Sequence, residues 1–88
     1  MPKHPTHPDL TRRLARIAGH VEAIRRMLDE ERSCPEILQQ MKAVLAALEN
    51  ARRILAEDHI RHCLVDAIER KNTKAVIEEI EEVFSQIL

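Results

Sequence analysis

Three residues of this chain have the types and spacing to do chemistry: Cys34, His59 and Cys63. His59 and Cys63 are four apart, so on a helix they project from one face, a turn from each other. A thiolate and an imidazole at that spacing can share a metal ion. Cys34 lies twenty-five residues earlier, or ~37 Å along a continuous helix. One straight helix cannot bring all three together. Two antiparallel copies can, with Cys34 of one chain beside His59 and Cys63 of the other. Two thiolates and one imidazole form a soft set that suits copper(I) in three-coordinate geometry, and zinc(II) if a fourth ligand joins. The residues alone also fit a plainer reading, with the cysteines as small buried hydrophobes and His59 and His62 solvating a helix. His62, flanked by charge and out of register with the pair, reads as a surface residue.

The elements that must position these residues are all helical. The 88 residues contain one Gly, one Phe and no Trp or Tyr, and the abundance of Leu, Ile, Ala, Glu and Arg favours helix throughout. Residues 1–8 hold three of the four prolines and read as a mobile arm. A first helix is expected from about Pro8-Asp9 to the acidic run Asp29-Glu30-Glu31, apolar at Leu10, Leu14, Ile17, Val21, Ile24 and Leu28. Gly19 inside it suggests a close crossing by another helix. Ser33-Cys34-Pro35-Glu36 matches a capping box, with Ser33 as N-cap and Glu36 reaching back. This box places Cys34 in a first turn, where exposed N–H groups and the helix dipole favour a thiolate. Nothing then interrupts the helix to about Arg70, and Ile37, Met41, Val44, Leu48, Ala51 and Leu55 form a three-four seam. A rod of roughly 55 Å overshoots a compact domain of this length, so a partner chain is expected, as a homodimer at least. Asn72-Thr73 caps a third helix from about Lys74 to Ile87. The whole of 1–88 is one domain.

Charge narrows the partners. The net charge is −1, yet residues 1–26 carry six Lys/Arg against two acids. Arg12, Arg13, Arg16, Arg25 and Arg26 on the first helix, with Lys42, Arg52 and Arg53 on the second, can line a phosphate-binding surface. They can equally form a solvated face with pairs such as Glu22–Arg26. No stretch approaches the ~20 apolar residues of a membrane span, and the N-terminus lacks the apolar core of a secretory signal. Two cysteines in that setting point to a reduced, cytoplasmic location. There is no Gly-rich phosphate loop, Ser/His/Asp set or paired-carboxylate cleft, so no enzyme is expected.

The run Arg13-Leu14-Ala15-Arg16-Ile17-Ala18-Gly19-His20, then Met27-Leu28, Cys34, Leu38-Gln39-Gln40 and Asp58-His59-Ile60-Arg61-His62-Cys63, resembles the copper-sensing operon repressor (CsoR) family. The resemblance covers roughly residues 10–85, and the Cys…His…Cys spacing matches its copper branch at all three positions. It implies a tetramer, a dimer of antiparallel helical dimers. Such a tetramer binds operator double-stranded DNA without metal and releases it when copper(I) joins Cys34 of one protomer to His59 and Cys63 of another. It also implies DNA contact at Arg13 and Arg53, and an acid at Glu79 that supports the site from the third helix. Ser33 stands where the copper branch often has Tyr, and Asn50 where a further Arg is common. Related branches sense nickel(II) or cobalt(II) with an added N-terminal His, for which His4 and His7 are candidates. Others sense formaldehyde through an N-terminal Pro amine, which Pro2 with Cys34 can mimic. His59 together with Cys63 favours copper. A reading of another class is a metal-buffering helical oligomer that binds no DNA.

Overall fold

A computed structural model describes residues 6–87 as three helices, α1 (His7–Asp29), α2 (Cys34–Arg70) and α3 (Thr73–Ile87). Both α1 and α3 pack on α2 and not on each other. The expected all-α architecture is what forms. Residues 1–5 of the expected arm, including Pro2 and His4, lie outside the described residues. The rest of that arm is structured: His7 and Pro8 belong to α1, and Thr6 is its N-cap.

The helix ends follow local chemistry. Ser33 has extended backbone angles and its Oγ accepts the Glu36 N–H at 3.4 Å. Only half of the expected capping box forms, because the Glu36 carboxylate turns to the Arg32 guanidinium, 2.9 Å away. An ion pair has outcompeted a backbone donor that water can satisfy. At the end of α1, Arg32 N donates to Met27 O and Glu31 N to Leu28 O, the paired bonds of a Schellman turn. That turn needs a left-handed residue, and with one Gly in the chain the position falls to Glu31 at φ 55°. Lys71 closes α2 in the same way at φ 54°. Asn72 starts α3, its Oδ1 accepting from Ala75 N at 3.2 Å.

The buried apolar residues are Leu10, Ile24, Ile37, Val44 and Ala51, with Ile17 and Met27 packed against the middle of them. On α2 the inward positions 37, 44 and 51 are spaced by seven, and the next in that series is Asp58. The predicted seam therefore splits. Met41, Leu48 and Leu55 stay about 40% exposed, and on α1 Leu14, Val21 and Leu28 also face outward. Their places against α2 are taken by side chains such as His20, whose Nε2 meets Gln40 Oε1 at 2.7 Å. A Cβ at Gly19 would meet nothing within 4 Å, so no crossing within the chain accounts for that glycine.

The molecule is a rod, 58 × 25 × 12 Å, with a radius of gyration of 17.8 Å, against about 12 Å for a compact chain of this length. No residue of α3 is buried. The left-handed caps yield a stability test. Glu31→Gly should raise the unfolding free energy by up to ~1 kcal/mol, because glycine adopts this conformation without a Cβ clash. Urea unfolding at fixed protein concentration reads this, and an unchanged midpoint would contradict it.

Candidate metal centre

Near its C-terminal end α2 presents two adjacent faces. On one, His59 and Cys63 stand a turn apart and meet Glu79 of α3. The His59 Nε2 lies 3.5 Å from Cys63 Sγ and 2.6 Å from Glu79 Oε1. One donor atom from each of the three falls within 4.8 Å of the others. With metal–sulfur and metal–nitrogen bonds of ~2.3 and ~2.0 Å, a tetrahedral centre sets its S and N donors about 3.5 Å apart. The donor types and spacing thus fit a thiophilic or borderline ion. The three side chains line a cleft of about 430 Å³ between α2 and α3, together with His62, Asp66 and Arg70.

Burial pushes the Cys63 thiol above its ordinary 9.0, and the nearby carboxylates of Glu79 and Asp66 push it the same way. A neutral thiol is what a site holding negative charge but no cation should contain.

Cys34 is exposed in the first turn of α2. Because α2 runs unbroken from Cys34 to Arg70, one chain brings together His59, Cys63 and Glu79 and leaves Cys34 ~37 Å away. His7 lies elsewhere, at the start of α1, where it lines a groove with Leu10, Leu48 and Arg52.

His62 departs from its expected place on the surface. Its Nε2 lies 3.1 Å from Asp58 Oδ1 and the side chain is only 32% exposed. Asp58 itself is 4% exposed, the one charged side chain buried among the described residues, and it accepts a 2.7 Å hydrogen bond from Thr6 Oγ1. Sequence reasoning missed both residues. The signal was present: the seam that ends at Leu55 continues by three and four to Asp58 and His62.

The basic residues are accessible. Arg13 Nε donates to Asp9 Oδ2 at 2.8 Å, and Arg12 lies 3.8 Å from the same carboxylate. The Arg13 hydrogen bond holds Asp9 below the usual carboxylate range, and the charges of Arg13, Arg12 and Arg16 act in the same sense. On α2, Arg52 pairs with Glu49 at 2.7 Å and Arg53 reaches Asn50 Oδ1 at 2.6 Å. Arg52 lies beside the start of α1, whereas Lys42, also exposed, is ten residues or ~15 Å back along α2.

Comparison with known proteins meets this geometry. The family model described as metal-sensitive transcriptional repressor matches residues 6–86. The copper-sensing transcriptional repressor CsoR of Bacillus subtilis is 42% identical over 77 residues, which cover 88% of this chain and 76% of that protein. CsoR of Mycobacterium tuberculosis (strain ATCC 25618 / H37Rv) is 34% identical over 68 residues, covering 77% of this chain and 57% of that one. The chain thus spans a little over half of the mycobacterial relative. Among solved structures, the nickel-responsive transcriptional regulator InrS superposes with a TM-score of 0.89 at 32% identity, over 100% of this chain and 99% of that chain. The chain belongs to the metal-sensitive transcriptional repressor family, in its CsoR group.

Proposed function

We propose that this chain is a copper(I)-responsive repressor that binds operator DNA as a symmetric oligomer without metal and lets go when the ion is bound. The observation that carries the reading is the placement of donors on α2. His59 and Cys63 stand at one end, an exposed thiol at the other, and a straight helix lies between. An antiparallel second copy would set its Cys34 against His59 and Cys63 and supply the third soft ligand. The same copy would cover the outward apolar rows of α1 and α2, including Leu14, Val21, Leu45 and Leu48. Such a site would lie between subunits, so that filling it alters how they sit relative to each other.

In this reading His59, Cys63 and the partner copy's equivalent of Cys34 hold the ion, which supplies a bond between two chains. Glu79 meets His59 at Nε2 from α3: an ion on Nδ1 would leave that contact in place and an ion on Nε2 would break it, so that either way uptake would reach the third helix. Arg12, Arg13, Arg16, Lys42, Arg52 and Arg53 offer charge to phosphate, with a few kcal/mol or less needed to shift the DNA equilibrium. The protein acts where the DNA is, in the cytoplasm; no described helix is long and apolar enough to cross a membrane. A nickel(II)- or cobalt(II)-responsive variant of this reading is supported by the likeness to InrS along the whole chain. In that case a harder donor, such as Glu79, would enter the ligand set.

An anaerobic titration of the reduced protein on DNA from its own promoter tests the proposal, with copper(I), nickel(II), cobalt(II) and zinc(II) in parallel. Copper(I) should weaken binding by about 5- to 150-fold, the usual range of such couplings, and Cys34→Ala should abolish the effect while the apo protein still binds. Release by nickel(II) or cobalt(II) alone would replace copper as the inducer, and no salt-dependent DNA binding at all would leave a metal buffer as the better description.

The raised proton affinity of Cys63 sets the pH dependence of metal uptake. The thiol must lose its proton to bind, so acid competes with the ion. Between pH 6 and 8, copper(I) affinity should climb about tenfold per pH unit for each thiol proton displaced. Competition against a copper(I) chelator at several pH values measures the slope; a flat profile would mean that Cys63 is not a ligand.

A further inference from the structure

Asp58 and His62 each precede a metal-ligand candidate by one residue, so they occupy the neighbouring face of the same two turns of α2. Asp58 on that face meets the start of α1, and His62 stands between it and the edge of the α2–α3 cleft. Asp58 is buried at a seam position where the series Ile37, Val44, Ala51 calls for an apolar side chain. A polar group in such a seam specifies register, because moving it strands a desolvated charge. Its partner across the seam is unusual. Thr6 is the N-cap of α1, and a threonine there ordinarily turns its hydroxyl onto its own helix. Here it makes no side-chain cap and donates to Asp58 Oδ2 at 2.7 Å instead. The Thr6 carbonyl meanwhile accepts from Leu10 N at 2.9 Å, which ties the first turn of α1 to the same residue. Three residues on is Asp9, which holds Arg13 and Arg12.

We propose that Thr6 and Asp58 are positioning residues that carry the state of the metal centre to the arginine-bearing start of α1, an inference that rests on the metal-responsive reading above. Rotation or bending of the turns that hold His59 and Cys63 moves Asp58 and His62 with them, since all four share one rigid backbone segment. Leaving the Thr6 hydroxyl would cost the buried carboxylate a 2.7 Å hydrogen bond, so the first turn of α1 follows it. His62, at 3.1 Å from the other carboxylate oxygen, keeps Asp58 aimed. This route to the DNA-facing residues runs through α1 and is separate from the Glu79 contact, which leads into α3.

The test compares wild type with Thr6→Val, which keeps the shape and removes the hydroxyl, and Thr6→Ser, which keeps the hydroxyl; Asp58→Asn serves as a second variant. Operator affinity is measured with and without copper(I), alongside amide hydrogen exchange across residues 9–13 and copper(I) stoichiometry. Thr6→Val and Asp58→Asn should bind copper(I) at the wild-type stoichiometry. The factor by which the ion weakens operator binding should fall about tenfold or more toward unity, within the usual span of such couplings. Copper(I) should alter exchange at the Leu10 amide in wild type and Thr6→Ser but not in Thr6→Val. A Thr6→Val protein that responds like wild type in both readouts overturns the proposal, as does a Thr6→Ser protein that fails to restore the response. If wild type kept its operator under copper(I), the repressor reading would fall, and the exchange data would still decide the linkage. In that case a Leu10 amide insensitive to the ion in wild type rejects it.

Discussion

Everything in this molecule hangs on the continuity of α2. A helix of 37 residues is stiff over its whole length, and no residue inside it supplies a break. It is too long to be wrapped by the 38 residues of α1 and α3, so each shorter helix covers one stretch and leaves apolar rows uncovered. It also fixes the distance between the thiol at its start and the imidazole and thiol near its end. The thin core and the ~37 Å between Cys34 and His59 therefore have one origin.

The sequence made the helices legible because their signals are local. Ser33 before Pro35, the acidic run Asp29-Glu30-Glu31 and the Asn72-Thr73 cap act over a few residues, and the uninterrupted pattern from Cys34 to Arg70 leaves little choice of element. The pairing of His59 with Cys63 was legible for the same reason, since four residues on a helix is a fixed distance. The Glu36 side chain was misjudged because two partners compete for it, and the outcome depends on where Arg32 lies after the turn. The start of α1 was expected near Pro8-Asp9 and lies at His7; what no local pattern reveals is that the Thr6 hydroxyl turns to Asp58, fifty-two residues away. Glu79 was reachable only through resemblance to a family, as its contact with His59 depends on how α3 docks.

The least legible residues were Asp58 and His62. Charge and proximity to Arg61 gave His62 the look of a solvated residue; it lies seven residues past Leu55, in the half-exposed row, and stays partly accessible while meeting Asp58. Periodicity sets where a side chain points, and composition only suggests what it would prefer. When the two disagree, as at Asp58, a buried polar group results, and buried polar groups in native chains carry hydrogen bonds that account for them. Here no buried side-chain polar atom lacks a partner among the described residues.

The absence of any buried side chain in α3 has a bearing on how long the cleft around His59, Cys63 and Glu79 persists. Segments held by few desolvated contacts open locally far below the free energy of global unfolding, and do so many times before the rest of the protein unravels. Glu79 is carried on such a segment, whereas His59 and Cys63 belong to the stiffest helix present. The carboxylate wall of the cleft is therefore its transient part, and the two nitrogen and sulfur donors are its permanent one. Excursions of α3 would thus open and close the cleft while α1 stays packed on α2.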